Sequence, residues 1–394
     1  MGGKEPNAGL ARPLDETGGK HARLARQTNA VGTETGTPLR YDESAVSHWL
    51  NGTIPQAPSR RGVLGAGLFS VALTIPGWQD VLGRLEAFKA GRATRIGMPE
   101  VRMVIDMTAK VSELDDQFGG RHARPMAAAF LVNTVTGYLH ADGPEDVRKA
   151  MMAAASDLSY LTGYMAVDEG LHGLAQRYYV KALELAGAAD DHLTYCTTLR
   201  GMSVQAVDLG HGAKAMDLAD AAAAASPAAG PRMRAFLAGQ QAHSAALVGD
   251  RPRALRHIRE AEAAMDRAES RGKPFGSYDP SSLNYHLAQV RYELGDVAGS
   301  VEAMERSDRL RVGVYRRARV RHRALLAERQ LRLGHLEAAC ETWKSALDEW
   351  PMVRSGRADD RMRVMLTLIR PHRENAHARD LYDRAKAVLP ASPR

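Results

Sequence analysis

A glycine followed five residues later by a small residue recurs along this chain at steps of about forty residues. The pairs are Gly170/Ala175, Gly210/Ala215, Gly249/Ala254, Gly295/Ser300 and Gly334/Ala339, with glycine spacings of 40, 39, 46 and 39. Seven residues beyond each small residue stands another: Ala182, Ala222, Ala261, Ser307 and Ala346. Each glycine follows an apolar helical stretch. Glycine adopts positive φ cheaply and so ends a helix with a reversal of direction. The small residues then let the next helix cross the first closely. A chain built this way stacks helix–turn–helix units, each covering the apolar face of its neighbour.

The repeating unit resembles the tetratricopeptide repeat, most clearly in Gly163, Ala166, Gly170, Ala175, Tyr179 and Ala182. That repeat runs about 34 residues, so helices or linkers are longer here. The 46-residue step contains residues 272–276 (GKPFG), a loop insertion. The expected fold is all-α: a right-handed TPR-like α-solenoid of about five helix pairs, with a small N-terminal helix-turn-helix-like unit in front. The expected domains are 1–58, the helix-turn-helix-like unit; 59–99, an apolar linker or docking helix; and 100–394, the helical repeats. The charged segment 370–384 suits a C-terminal cap.

Composition agrees with such a fold. Only 6% of the 394 residues are aromatic, and helices packed through alanine need few large core residues. The net charge of +7 permits nucleic-acid or anionic-surface binding without establishing it. Two cysteines, Cys196 and Cys340, stand far apart in repeat helices. A disulfide framework is excluded, buried inert thiols are expected, and a cytoplasmic location follows.

Residues 59–64 (SRRGVL) lead into an apolar run over 65–76. The pattern looks like a twin-arginine export signal. It lies far from the start of the sequence, has no A-x-A cleavage site after it, and is shorter than the roughly 20 residues that span a bilayer. A small-residue helix docking onto the repeats is the expectation, with no membrane contact.

The run 46–55 (VSHWLNGTIP) has the form of a recognition helix. Val46, Trp49 and Leu50 share one face, and Gly52 and Pro55 stop the helix. Ser44, Ser47, His48 and Asn51 are left to meet base edges. Arg23, Arg26 and Arg40 would face phosphates. The connection from Asn29 to Asp42 exceeds the three or four residues of a compact motif, and no closing helix follows Pro55. The other reading of this run is a short amphipathic helix capping the solenoid.

Several stretches together carry a wider resemblance. They are 39–52 (LRYDESAVSHWLNG), 115–124 (DDQFGGRHAR), 172–179 (HGLAQRYY), 199–211 (LRGMSVQAVDLGH), 334–343 (GHLEAACETW) and 354–359 (RSGRAD). On these, nearly all of the chain after about residue 20 resembles the actinobacterial XRE-type helix-turn-helix/tetratricopeptide-repeat transcriptional regulators, with a shortened DNA-binding domain. The resemblance implies a regulator that binds DNA through Arg40, Ser44, Ser47, His48 and Asn51, and dimerises or senses an effector through its repeats. The rival reading is an interaction scaffold with a degenerate DNA-binding remnant.

No phosphate loop, HExxH, GxSxG or paired CxxC occurs. No enzyme activity, cofactor or metal is expected. His140, His172 and His211 read as helix-end caps, and Asp115-Asp116 before Phe118-Gly119-Gly120 as a helix end and turn. The basic run 306–323 reads either as a phosphate-contacting surface or as a solvated face near Glu302, Glu305 and Glu328. Phasing each unit on its glycine sends Tyr160, Tyr164, Arg200, His243, Tyr285, Gln289, Tyr292 and Glu328 into the concave face. A groove of that kind takes a peptide or a partner's segment.

Overall fold

Backbone chemistry at the five repeat glycines sets the architecture. The computed structural model describes residues 95–226, 228–268 and 278–388, and these are helical apart from turns and an isolated β-bridge between Arg95 and Asp142. Residues 272–276, the expected insertion, lie outside the described residues. Three helices come first: α1 (Met98–Phe118), α2 (Gly120–Phe130) and, after a π-helical turn, α3 (Thr136–Leu139). Five pairs follow: α4 (Glu145–Asp168) with α5 (His172–Ala189), α6 (His192–Asp208) with α7 (Gly212–Ala224), α8 (Pro231–Leu247) with α9 (Arg251–Asp266), α10 (Pro280–Glu293) with α11 (Val297–Leu310), and α12 (Arg316–Arg332) with α13 (Leu336–Glu349). Helices α14 (Gly356–Ile369) and α15 (Ala376–Val388) end the described chain.

Gly170, Gly210, Gly249, Gly295 and Gly334 all take φ between +76° and +87°. At each, the glycine N–H donates to a carbonyl three residues back and the next N–H to one five residues back, as in Gly170 to Val167 (3.0 Å) and Leu171 to Ala166 (2.8 Å). This double closure satisfies carbonyls that a helix end would otherwise leave bare. It reverses the chain within two residues, and consecutive helices therefore pack on one another.

The small residues lie where the pairs cross. Ala175, Ala215, Ala254, Ser300 and Ala339 are fully buried, as are Ala182, Ala222, Ala261, Ser307 and Ala346. Contact is close enough for side-chain hydroxyls to reach the opposite backbone. Ser156 donates to the Ala182 carbonyl, Ser203 to Ala215, Ser300 to Ala288, and Ser281 and Ser307 to each other's carbonyls, at 2.7–2.8 Å. Serine replaces alanine in this way without leaving a buried hydroxyl unpaired. Cys196 and Cys340 are free and buried, and burial raises both thiols. Neither is poised as a nucleophile.

The first and last helices supply the ends. α1 and α2 pack on α4 through Val101, Val104, Val111, Ala123, Ala127, Met151 and Leu158. α15 packs Ala378, Leu381 and Ala385 inward and leaves Arg379, Asp380, Asp383, Arg384 and Lys386 exposed, a polar outer face of the kind a terminal unit needs.

The two ends also meet. The Arg354 N–H donates to the Phe118 carbonyl (2.6 Å), and the Arg121 N–H donates to the Arg354 carbonyl (3.1 Å). This seam joins the α1–α2 junction to the segment just before α14. It turns a row of first helices into a closed circuit around an inner cavity.

Candidate functional site: an arginine- and histidine-lined inner cavity

A cavity of about 160 Å³ lies inside this circuit. Every first helix contributes: Tyr164 and Asp168 from α4; Arg200, Val204, Val207 and Asp208 from α6; Phe236, Gln240 and His243 from α8; Ser282, Tyr285 and His286 from α10; Arg317, Ala318, Arg321 and His322 from α12. Arg357 enters from α14 and Asp116 from α1, with Tyr278, Arg311 and Tyr315 from connecting segments.

A buried ion cluster closes one side. Asp168 ends α4, where the helix dipole disfavours a carboxylate. It is compensated from four directions. Its oxygens accept from Ser355 Oγ (2.8 Å), Arg357 Nε (3.3 Å) and the Gly120 N–H (3.2 Å), and Arg317 Nη1 lies 3.6 Å away. Burial pushes the carboxyl up, but Arg317 and Arg357, with these hydrogen bonds, outweigh it and hold Asp168 below the usual carboxylate range. Arg317 in turn reaches Asp115 (3.0 Å) and Asp116 (3.3 Å), and donates from Nε to the Asp115 backbone carbonyl (3.1 Å). Burial dominates at Asp115 and, against the pull of Arg317, raises it to about 7. Arg357 also pairs with Asp208 (3.0 Å), which Arg321 shares (3.2 Å). Tyr164 stands under two guanidiniums, those of Arg317 and Arg357, each 5.4 Å from its ring centre.

The opposite side is aromatic. Arg200 lies over the Phe236 ring at 4.1 Å, and its Nη2 is 3.3 Å from His286 Nε2. The Tyr278 hydroxyl meets His286 Nδ1 at 2.9 Å. Tyr285 lies 6.0 Å from the His286 ring and stacks on His322 at 4.0 Å, nearly parallel. Three cavity histidines are held neutral. Burial lowers His243 to about 4 against the pull of Asp208, and burial with arginine repulsion puts His286 and His322 well below the usual range.

His243 gives a test of this picture. Its pKa is about 6.5 when unfolded and about 4 when folded, so the unfolded chain binds the extra proton between those values. Stability is therefore lost as pH falls from 6.5 towards 4. Replacing His243 by glutamine removes that part of the acid loss. The variant should gain about 2 kcal/mol relative to wild type on going from neutral pH to about pH 5. Denaturant unfolding of both proteins at the two pH values reads the difference; an unchanged gap would show that His243 is not buried neutral.

Of the eight residues assigned to a concave face, Tyr164, Arg200, His243 and Tyr285 line the cavity. The other four pack between helices. Tyr160 is buried with its ring 6.0 Å from that of Tyr179. Gln289 donates to the Tyr285 hydroxyl (2.7 Å) and accepts from Arg329. Tyr292 lies beneath Arg329 and Arg332, at 4.4 and 5.3 Å. Glu328 pairs with Arg361 (3.1 Å). His140 caps the Thr136 carbonyl at 2.7 Å, as its helix-end position implies.

The basic run 306–323 is divided: Arg306 and Arg309 are exposed, as on a solvated face, while the arginines of α12 turn to partners within the protein. Arg317 is buried, Arg321 faces Asp208, and Arg319 and Arg323 pair with Glu349 and Asp308. The signal for this was present: arginines at the start of α12 and α14, and aspartates at the ends of α1 and α4, oppose their own helix dipoles and call for partners elsewhere.

Arg40, Ser44, Ser47, His48 and Asn51 lie outside the described residues. Among the described residues no cluster of histidine, cysteine and carboxylate side chains is placed to hold a metal ion, and no helix is long and apolar enough to cross a membrane.

Residues 10–70 match the family described as the SP15 N-terminal domain. No curated protein matches the chain.

Proposed function

We propose that the protein is a cytoplasmic transcription regulator. Its N-terminal residues bind DNA, and its helical pairs form a right-handed, TPR-like effector domain. Binding rather than catalysis is its task. The observation that carries this reading is the inner cavity. All five first helices, together with α1 and α14, contribute to the lining of one small chamber, so a molecule bound there lies among all five pairs. A small ligand in such a place can change the packing of the whole array and the spacing of two DNA-binding units. In this reading the run 46–55 supplies the DNA contact, through Ser47, His48 and Asn51.

Selection of bound sequences from random duplex DNA across a salt series tests the reading. A palindromic site should be enriched, with affinity falling steeply as salt rises. Alanine at His48 or Asn51 should weaken specific binding by about 1–3 kcal/mol and leave non-specific binding unchanged. Equal loss on both DNAs would remove these residues from the readout.

A second reading, the interaction scaffold, has one observation in its favour. Helix α1 leaves Met103, Ile105 and Met107 exposed, a surface suited to a protein partner. Weak DNA binding without enrichment of any sequence would favour it.

A further inference from the structure

We propose that the inner cavity binds a small planar carboxylate, a one-ring aromatic or heteroaromatic acid, held by Arg200 and Arg311 against the Phe236–Tyr285 wall. This deepens the effector reading above and rests on it for its biological role, though not for the binding itself.

Size sets the first limit. About 160 Å³ is close to the roughly 150 Å³ that admits one benzene. It falls short of the several hundred Å³ typical of drug-sized sites. A peptide does not fit; a single ring with one acidic group does.

Charge sets the second. Five arginines and three aspartates line the cavity. The aspartates are committed to Arg317, Arg321 and Arg357. Among the described residues no carboxylate lies within ion-pair distance of Arg200 or Arg311. Arg200 meets His286 and the Phe236 face; Arg311 bonds the Ser307 hydroxyl at 3.2 Å and feels Asp279 and Asp308 only at longer range. These two arginines leave the cavity with an excess of positive charge.

Hydrogen bonding sets the third. Arg200 Nε, Arg311 Nε and His322 Nδ1 are buried and have no partner within the described protein. An unmet buried polar group costs about 1–3 kcal/mol, and the three residues that carry these atoms all line the one cavity, so a small side-chain shift on binding brings them to a ligand. A carboxylate offers acceptors that suit the two guanidiniums, and charge-assisted bonds of this kind are the strong ones.

The wall between the two arginines chooses the rest of the molecule. From Phe236 it runs through Arg200, His286 and Tyr285 to His322, whose pKa is depressed by burial and then chiefly by Arg311. These are flat faces. A ring stacks on them, and a bare inorganic anion gains nothing from them. The neutral histidines add a consequence: an anion among them offsets the arginine repulsion and makes protonation easier. Groups facing this change are Arg200, Arg321 and Arg329 with Asp208 around His243, Arg200 and His243 around His286, and Arg311, Arg321, Arg317 and Arg357 around His322.

Calorimetric titration of the full-length protein with benzoate, salicylate and nicotinate tests the proposal. Benzamide serves as the neutral analogue and inorganic phosphate as the ringless anion. At least one acid should bind at one site per chain with Kd below about 1 mM. Benzamide should bind at least about tenfold more weakly, and phosphate should not compete. Arg200→Gln and Arg311→Gln should each lose about tenfold in affinity. In the wild-type protein the histidine C2 proton resonances should titrate at higher pH with the acid bound, a readout that does not depend on any variant folding.

Failure of all three acids would overturn the proposal, as would equal binding of benzamide, competition by phosphate, full affinity in both variants, or unmoved histidines. DNA affinity is read separately. An acid that occupies the cavity of a protein that binds no DNA sinks the regulator and keeps the site. Specific DNA binding with no acid bound does the reverse.

Discussion

Arg317→Met is expected to destabilise the protein by about 3–5 kcal/mol at neutral pH, the range seen when one partner of a buried ion pair is removed. Arg317 is buried and meets Asp115, Asp116 and Asp168 at 3.0, 3.3 and 3.6 Å. Methionine keeps much of the side-chain volume, so the loss comes from charge rather than from a cavity. Without the guanidinium, Asp115 and Asp116 remain near the C-terminal end of α1 and Asp168 at the end of α4, each facing a helix dipole of the wrong sign. Arg357 still holds Asp168; nothing replaces Arg317 at Asp115 among the described contacts. The pH dependence has a definite sign. Asp115 already titrates near 7 when folded and near 3.8 when unfolded, so folding takes up a proton and stability falls as pH rises through that window. Removing Arg317 raises the folded value further. The gap between variant and wild type should therefore widen from about pH 5 to about pH 8. Urea unfolding at both values checks it, with Lys110→Ala, half of an exposed pair, as a control expected within about 0.5 kcal/mol of wild type. A loss under about 1 kcal/mol at pH 8 would mean that the cluster is open to water.

The repeats were legible because their constraints are local. A helix reversal with both N–H groups closing on the same turn needs positive φ, so glycine appears at each of the five positions. Close crossing needs small side chains at fixed offsets, and Ala175 and Ala182 with their counterparts are all buried. The inner face was legible only in part. One glycine at the end of a helix sets the phase poorly over as many as 24 residues, and each residue of error turns a side chain by about 100°. Tyr164 and Tyr285 fall on the cavity, while Tyr160 and Gln289 fall at crossings. The seam was hidden for a different reason. Asp115 and Arg317 are 202 residues apart, and Arg121 and Asp359 are 238 apart. No periodicity encodes a pairing at that range. The wrong-signed charges at four helix ends were its trace, and read singly each looks like an ordinary surface residue. The same blindness hid the inward pairing of Arg319 and Arg321, since Glu349 and Asp208 lie outside the stretch in which a charge pattern is sought.

The seam can be tested at its backbone. Gly119→Ala is expected to destabilise by about 2–5 kcal/mol, whereas Gly170→Ala should cost about 1 kcal/mol. Both glycines have positive φ, +91° and +80°, and at Gly119 ψ is 163°, a region essentially reserved for glycine, so backbone strain adds to the loss there. A Cβ at Gly170 would meet no atom within 4 Å. At Gly119 it would lie 2.5 Å from the carbonyl oxygen of Arg354 and 2.8 Å from its carbon. That carbonyl cannot step aside alone, because it accepts from the Arg121 N–H while the Arg354 N–H donates to Phe118. Relief requires the two strands of the seam to part, which pulls Ser355 and Arg357 away from Asp168 and opens one side of the cavity. The difference between the two variants thus combines the seam contact with the extra backbone strain at Gly119, and hydrogen exchange separates the two. Paired denaturant unfolding measures it, and hydrogen exchange at the Arg121 and Arg354 amides locates it. Equal losses, with both amides exchanging as fast as exposed ones in the wild-type protein, would show that the ends of the array do not meet in solution. The cavity would then be an open groove, and a peptide rather than a small acid would be its natural occupant.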